Sequence, residues 1–209
     1  MPKQTQIGSP GRDQIQVGRD YISPSSVSSS DHKISSGKPS PEKELKDGYD
    51  VFISHWNQEK PLASLLKEWI DSVFQERFRV FVGSEEGAFN MGDCWQETIE
   101  QALQVAKLTL VLTSRQSLVR HWVHFETGFA WSRGIPVAFL CHSGVKPNNL
   151  PKPYDTRESL DMEIPEFPRR FLTGFARRFD VPRLPPLAFR DMEDELASIL
   201  NTVKGLKLP

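Results

Sequence analysis

The stretch Tyr49-Asp50-Val51-Phe52-Ile53-Ser54, followed by Leu62, Leu65, Leu66, Trp69, Ile70 and Val73, decides the fold class. The first six residues read as a short buried strand. The second set is spaced i, i+3, i+4, i+7, i+8, i+11, one face of a helix, and Pro61 falls in the first turn, where proline is tolerated. The alternation then repeats. Phe78 to Val82 reads as a second strand, and Ser84 to Gly92 as a loop. Asp93 can cap a helix that carries Trp95, Ile99, Ala102, Leu103 and Ala106 on one side, with Gln96 placed for a capping box. Lys107 to Thr113 (KLTLVLT) reads as a third strand, Gln116 to Arg133 as a third helix stopped by Gly134, and Ile135 to Leu140 as a fourth strand. These alternations predict an α/β fold, a three-layer flavodoxin-like sandwich with a central parallel sheet and right-handed crossovers. Ligands of such folds sit outside the carboxyl ends of the strands, near the switch in strand order. The residues just after each strand therefore matter most: Ser54-His55-Trp56, Gly83-Ser84-Glu85, Thr113-Ser114 and Cys141-His142-Ser143.

Past Ser143 the regularity lapses. Pro147, Pro151, Pro153, Pro165 and Pro168 punctuate residues 144–168, which read as irregular. Phe171, Phe175 and Phe179 recur at i, i+4 among Arg169, Arg170, Arg177 and Arg178. That pattern fits a helix that packs its phenylalanines on the core and turns its arginines to water. It also fits a basic aromatic surface for a partner, an anionic membrane or nucleic acid. Arg190 to Lys204, with Met192, Leu196, Ile199, Leu200 and Val203 at helical spacing, closes the sandwich.

Ahead of the sandwich lie two segments of different character. Residues 1–22 contain a near-repeat, Gly11-Arg12-Asp13-Gln14-Ile15 and then Gly18-Arg19-Asp20-Tyr21-Ile22. It reads either as a chance repeat in a disordered tail or as a β-pairing segment that docks on itself or a partner. Residues 23–47, rich in Ser, Pro, Gly and Lys, bury too little to offset chain entropy and read as a linker. Residues 48–209 are then the folded domain.

Composition narrows the function classes. With 209 residues the chain is one domain with tails. Lys+Arg 26 against Asp+Glu 27 leaves a net charge of -1, without the positive excess of a simple nucleic-acid binder, so no DNA partner is expected. Hydrophobic content is 38%, with sixteen prolines, consistent with part of the chain building no core. Two cysteines, Cys94 and Cys141, cannot form a disulfide scaffold. The start has no apolar run and the longest apolar stretches are strand-length, so neither a leader nor a transmembrane segment is expected, and the expected location is the cytoplasm.

The third helix carries the chemistry: Arg120-His121-Trp122-Val123-His124-Phe125-Glu126-Thr127-Gly128-Phe129-Ala130-Trp131. Trp122, Phe125, Phe129 and Ala130 are expected on one face, with Glu126 inside that apolar stripe. A buried carboxylate is costly unless it is paired, and such a group often marks a functional site. The plainer alternative is a glutamate at the stripe's edge, hydrogen-bonded to a loop. Gly128 costs roughly 1 kcal/mol relative to Ala in mid-helix and could admit a strand or a ligand. Other chemistries are less supported. His121-x-x-His124 lacks the partners of a metal site, and no metal is expected. Neither a GxGxxG nor a P-loop is present. Ser54 and His55, adjacent in a strand, point to opposite faces, which argues against a serine–histidine nucleophile.

Together these residues resemble a family. Tyr49 to His55 looks like the first box of TIR (Toll/interleukin receptor) domains. Val80-Phe81-Val82 and Gly92-x-x-Trp95 resemble the second strand and the BB loop leading into the next helix. Leu110-Val111-Leu112-Thr113-Ser114 followed by Trp122-x-x-x-Glu126 resembles the third strand and the WxxxE helix. WVHFETG, residues 122–128, is similar to bacterial members, and the likeness covers about residues 48–143. The resemblance implies an NAD+ glycohydrolase that cleaves the nicotinamide–ribose bond, with NAD+ as substrate and no resident cofactor. Glu126 takes the catalytic position. Trp122 would shape the pocket, with Ser54, His55, Trp56 and Ser84 binding substrate. It also implies activation by side-by-side assembly, with Ser84, Glu85, Glu86, Phe89, Asn90, Met91 and Gly92 of the BB loop as interface, and a role in bacterial antiphage immunity. The N-terminal segment would meet an upstream sensor or partner. The family's usual Asp after the second strand is here Gly83, followed by Ser84. Two other functions compete: a non-catalytic TIR adaptor acting through assembly, and a nucleoside or nucleotide N-glycosidase or deoxyribosyltransferase-like enzyme.

Overall fold

The computed structural model describes residues 48–83 and 95–205, which fall in one compact unit. The segments expected at 1–22 and 23–47, the Ser84–Gly92 loop and the Asp93 cap lie outside the described residues.

Five strands, β1 (Val51–Ser54), β2 (Val80–Val82), β3 (Leu108–Thr113), β4 (Val137–Cys141) and β5 (Glu158–Asp161), form one sheet in the order β2-β1-β3-β4-β5. Every pairing is parallel, with Val51 opposite both Val80 and Leu108. The strand order reverses at the β1/β3 junction, which is where a parallel sheet opens a cleft at its carboxyl edge. The helices are α1 (Lys60–Val73), α2 (Trp95–Val105), α3 (His121–Ser132), α4 (Phe167–Arg178) and α5 (Phe189–Gly205).

The two-residue period of a strand sorts the core into two layers. Val51, Ile53, Leu108, Leu110, Leu112, Ala138 and Leu140 pack on one face against α1, α4 and α5. Phe52, Val111, Val137, Phe139 and Cys141 pack on the other against Ile99, Ala102 and Leu103 of α2 and Val123 and Ala130 of α3. Phe52, Ile53, Phe139 and Leu140 are completely or almost completely buried. Each such side chain contributes about 1.5–3 kcal/mol relative to exposure. α1 buries Leu62, Ala63, Leu65, Leu66, Trp69 and Ile70, as its spacing predicts, with Pro61 in the first turn.

Three elements differ from the sequence reading. The sheet has a fifth strand, β5, in the stretch read as irregular. Its sequence, ESLD, is mostly polar because it is an edge strand, with Glu158 exposed and the others half-buried. The helix expected over 116–133 is divided: a 3-10 turn at Ser117–Val119 precedes an extended Arg120, and α3 begins at His121. The Ser114 hydroxyl accepts the Gln116 and Ser117 amides, and Ser117 Oγ accepts the Ser114 amide at 2.7 Å, which closes a separate turn ahead of the helix. Gly134, at φ +71, stops α3 as expected. Finally, α3 buries Val123, Glu126, Thr127 and Ala130 rather than the Trp122–Phe125–Phe129 row. Phe125 is 37% exposed. The wide aromatic side chains mimic a core stripe in sequence, whereas the narrower face packs on the sheet. A Cβ at Gly128 would meet nothing, so that glycine serves no close approach among the described residues.

For the Phe171/Phe175/Phe179 segment the helix reading holds. Phe167, Phe171 and Phe175 of α4 are buried, and Phe175 stacks with Phe74 and Phe179 at centroid distances of 4.9 and 4.7 Å.

Candidate active site at the carboxyl edge of the sheet

Ser54 is the last residue of β1 and shares a face with Phe52, so its hydroxyl points toward α3. There it donates to Oε2 of Glu126. Trp122, one turn earlier on α3, donates its indole Nε1–H to Oε1 of the same carboxylate at 2.7 Å. Glu126 is 1% exposed. The i, i+4 spacing stacks indole and carboxylate on one side of the helix, and the strand tip supplies the other donor. A carboxylate can be kept inside a fold on these terms, because charge-assisted donors replace water.

Gly83 follows β2 and borders this group. A Cβ there would sit 2.9 Å from the Phe52 ring and 3.2 Å from Glu126 Oε1. The space a side chain at this position would need is thus taken by the edge of Phe52 and by the carboxylate itself. Of the remaining expected site residues, His55 is 1% exposed and Trp56 7% exposed, with the Arg120 guanidinium 4.7 Å over the Trp56 ring. Ser84 and the rest of the expected interface loop (Glu85, Glu86, Phe89, Asn90, Met91 and Gly92) lie outside the described residues. His124 bonds Tyr154 Oη through Nδ1 and the Leu118 carbonyl through Nε2 at 2.8 Å, which makes it a packed histidine.

A second polar cluster occupies the opposite face of the same edge. Glu59, fully buried ahead of α1, accepts the Trp56 amide at 3.0 Å and the Ser114 hydroxyl at 2.5 Å. His142 Nε2 lies 3.2 Å from Glu59 Oε1, and His142 Nδ1 lies 3.0 Å from Ser143 Oγ. One carboxylate therefore ties together the tips of β1, β3 and β4. Beside it opens a polar cavity of about 360 Å³, bordered by Trp56, Gln116, Ser143, Glu163 and Lys204. The sequence showed Ser114 and His142 as post-strand residues but did not pair them with Glu59. A glutamate at the start of a helix ordinarily reads as a solvated charge complementing the helix dipole.

Electrostatics separate reactive groups from inert ones. Burial pushes His55 down to about 4, so its ring stays neutral near pH 7. Burial pushes the Cys141 thiol up to about 12, which leaves it protonated and unreactive. Burial raises Glu163, but the Lys146 and Lys204 ammonium groups outweigh it and bring the carboxyl down to about 2. That network (Lys146 to Glu163 and Lys204 to Glu163, each 2.7 Å) anchors the end of α5 beside the cavity.

A family model described as TIR domain matches residues 51–171. No curated protein matches the chain. Among solved structures, the TIR domains of the activated Roq1 resistosome directly recognizing the pathogen effector XopQ share 13% identity, with coverage of 77% of this chain and 86% of that one and a TM-score of 0.38. The sugar isomerase domain of an RpiR transcription factor from Sphaerobacter thermophilus shares 15% identity, with coverage of 79% and 86% and a TM-score of 0.39.

Proposed function

The chain belongs to the TIR domain family, and on that premise we propose that it is an NAD+ glycohydrolase with Glu126 as its catalytic carboxylate. The observation that carries the reading is the buried Glu126 side chain, oriented by Ser54 and Trp122 at the carboxyl tip of β1. Cleavage moves the electron pair of the nicotinamide–ribose bond onto the departing ring, which neutralises its cation. Positive charge then builds on the ribose carbon and ring oxygen. A preorganised carboxylate in a dry recess stabilises that charge, and no acid is needed for a leaving group that departs neutral. In the resting protein Ser54 and Trp122 set the orientation of Glu126; in the complex the ribose hydroxyls compete for the same oxygens. Water adds to the ribose carbon and gives up a proton, yielding ADP-ribose and nicotinamide. Attack by the adenine ring instead gives a cyclic product.

Assembly through the 84–92 loop, cytoplasmic location, a partner for the N-terminal segment and a role in antiphage immunity belong to this same reading. Among the described residues no helix is long and apolar enough to cross a membrane. An adaptor reading, in which TIR–TIR contact is the whole function, draws on one observation: Phe125 is exposed on α3 and lies against the half-buried rings of Trp122 and Phe129, with centroids 5.0 and 6.2 Å away. Incubation of concentrated protein with NAD+ separates the two. Release of nicotinamide supports the glycohydrolase. Silence of the wild type even when forced to oligomerise supports the adaptor. Turnover of deoxynucleosides without NAD+ cleavage points to the N-glycosidase class.

A further inference from the structure

We propose that Arg120, laid over Trp56 at the tip of β1, is the subsite that takes the pyrophosphate of a dinucleotide substrate. This rests on the glycohydrolase reading and adds to it the group that distinguishes a dinucleotide from a nucleoside.

The Arg120 guanidinium carbon lies 4.7 Å from the centroid of the Trp56 ring, and the indole beneath it is almost fully buried. Arg120 is half-buried, and its Nε has no hydrogen-bond partner among the described residues. Among those residues no carboxylate lies within ion-pair distance of it. An arginine that only braces a fold spends its donors on carbonyls, as Arg178 does with the Lys107 carbonyl at 3.3 Å. Stacking on the indole fixes the plane of the cation; Nε is buried, and the two terminal Nη groups form the N–H edge that remains. That edge is a planar fork matched to two oxygens of a phosphate.

Connectivity ties this stack to the supports of the reacting centre. Trp56 lies two residues beyond Ser54, and Arg120 two residues before Trp122, while Ser54 and Trp122 both donate to Glu126. Both partners of the stack are therefore tethered to the carboxylate's own supports, within about 7 Å of extended chain. In NAD+ the order of groups is a nicotinamide cation, a ribose, and then two phosphate anions beyond the ribose C5′. A carboxylate at the ribose with a guanidinium one short tether away would reproduce that order of charges.

The test uses the full chain with two readouts. The first is calorimetric binding of ADP-ribose to the wild type, Arg120→Gln and Arg120→Lys. The second is the ratio of kcat/KM for NAD+ to that for nicotinamide riboside, which lacks the pyrophosphate. The expected results are an ADP-ribose Kd at least tenfold weaker in Arg120→Gln and partly restored in Arg120→Lys, and a kcat/KM ratio that falls at least tenfold in Arg120→Gln. Equal ADP-ribose affinity in the wild type and Arg120→Gln overturns the subsite, as does an equal fall in both kcat/KM values. If the wild type releases no nicotinamide but ADP-ribose binding still depends on Arg120, the glycohydrolase reading fails and the subsite stands. Thermal unfolding of each variant identifies a misfolded one, and the Lys variant, which keeps the charge and the stem, then carries the comparison.

Discussion

Among the described residues Ser54 and Trp122 donate to the buried Glu126, and each donor can be tested singly. Ser54→Ala removes the hydroxyl from a carboxylate that stays buried and costs about 1–3 kcal/mol, read as a lowered unfolding midpoint in urea with the m-value unchanged. Gly83→Ala drives a methyl to within 2.9 Å of the Phe52 ring and 3.2 Å of Glu126. Overpacking of this kind costs typically ~1–3 kcal/mol, and here it displaces the carboxylate as well, so nicotinamide release is expected to fall together with stability. His55 sets a pH dependence. Its folded pKa of about 4 lies below the ordinary 6.5, so between those values the unfolded chain binds a proton that the folded chain excludes. Stability is therefore full above pH 6.5 and declines as pH falls toward 4, by about 3 kcal/mol in total. Denaturant titrations at successive pH values check the slope, and His55→Gln is expected to flatten it. Glu126 was legible in the sequence because a carboxylate among helix aromatics is conspicuous at any register. Glu59 was not, because its partner Ser114 lies 55 residues away and only the strand order brings them together.

At the scale of elements, α3 does two jobs on two faces. Val123, Glu126, Thr127 and Ala130 pack on the sheet, and Phe125 turns outward beside the half-buried rings of Trp122 and Phe129. Phe125→Ser is expected to leave the unfolding free energy within about 0.5 kcal/mol, as surface changes usually do, while it reduces concentration-dependent self-association measured by light scattering. α4 gives the contrasting case. Phe175 is 3% exposed between Phe74 and Phe179, and Phe175→Ala costs about 3–5 kcal/mol. Periodicity revealed α1, α4 and α5 because each buries a wide apolar stripe against one face of the sheet. It did not reveal β5, whose edge position needs no apolar alternation. It also overestimated the burial of the α3 aromatics: Ala130 and Glu126 are buried and Trp122 and Phe129 half-buried, but Phe125 turns outward. The break at Arg120 comes from serine side chains bonding to backbone, a local competition that hydrophobic periodicity does not register.

On the scale of the whole molecule, the parallel sheet delivers two buried carboxylates to one edge, Glu126 on the α3 face and Glu59 on the α1/α5 face. The strand order makes that edge a cleft, and the polar residues just after the strands follow from the same cause: where a strand leaves the core, its next side chain meets the cleft. Both core layers are built from described residues between 51 and 203. Residues 1–47 read in the sequence as a tail and a linker that bury little, so their removal is expected to leave the thermal midpoint within a few degrees while it weakens assembly, as scanning calorimetry and sedimentation of the shortened chain would show. If the carboxylate beside the Trp122 indole promotes cleavage of the nicotinamide–ribose bond, nicotinamide release from NAD+ by wild type and Glu126→Gln at matched folded concentration will show it. Steady release is expected from the wild type and none above background from Glu126→Gln with its unfolding transition intact; equal release by both proteins would rule out Glu126 as the catalytic group.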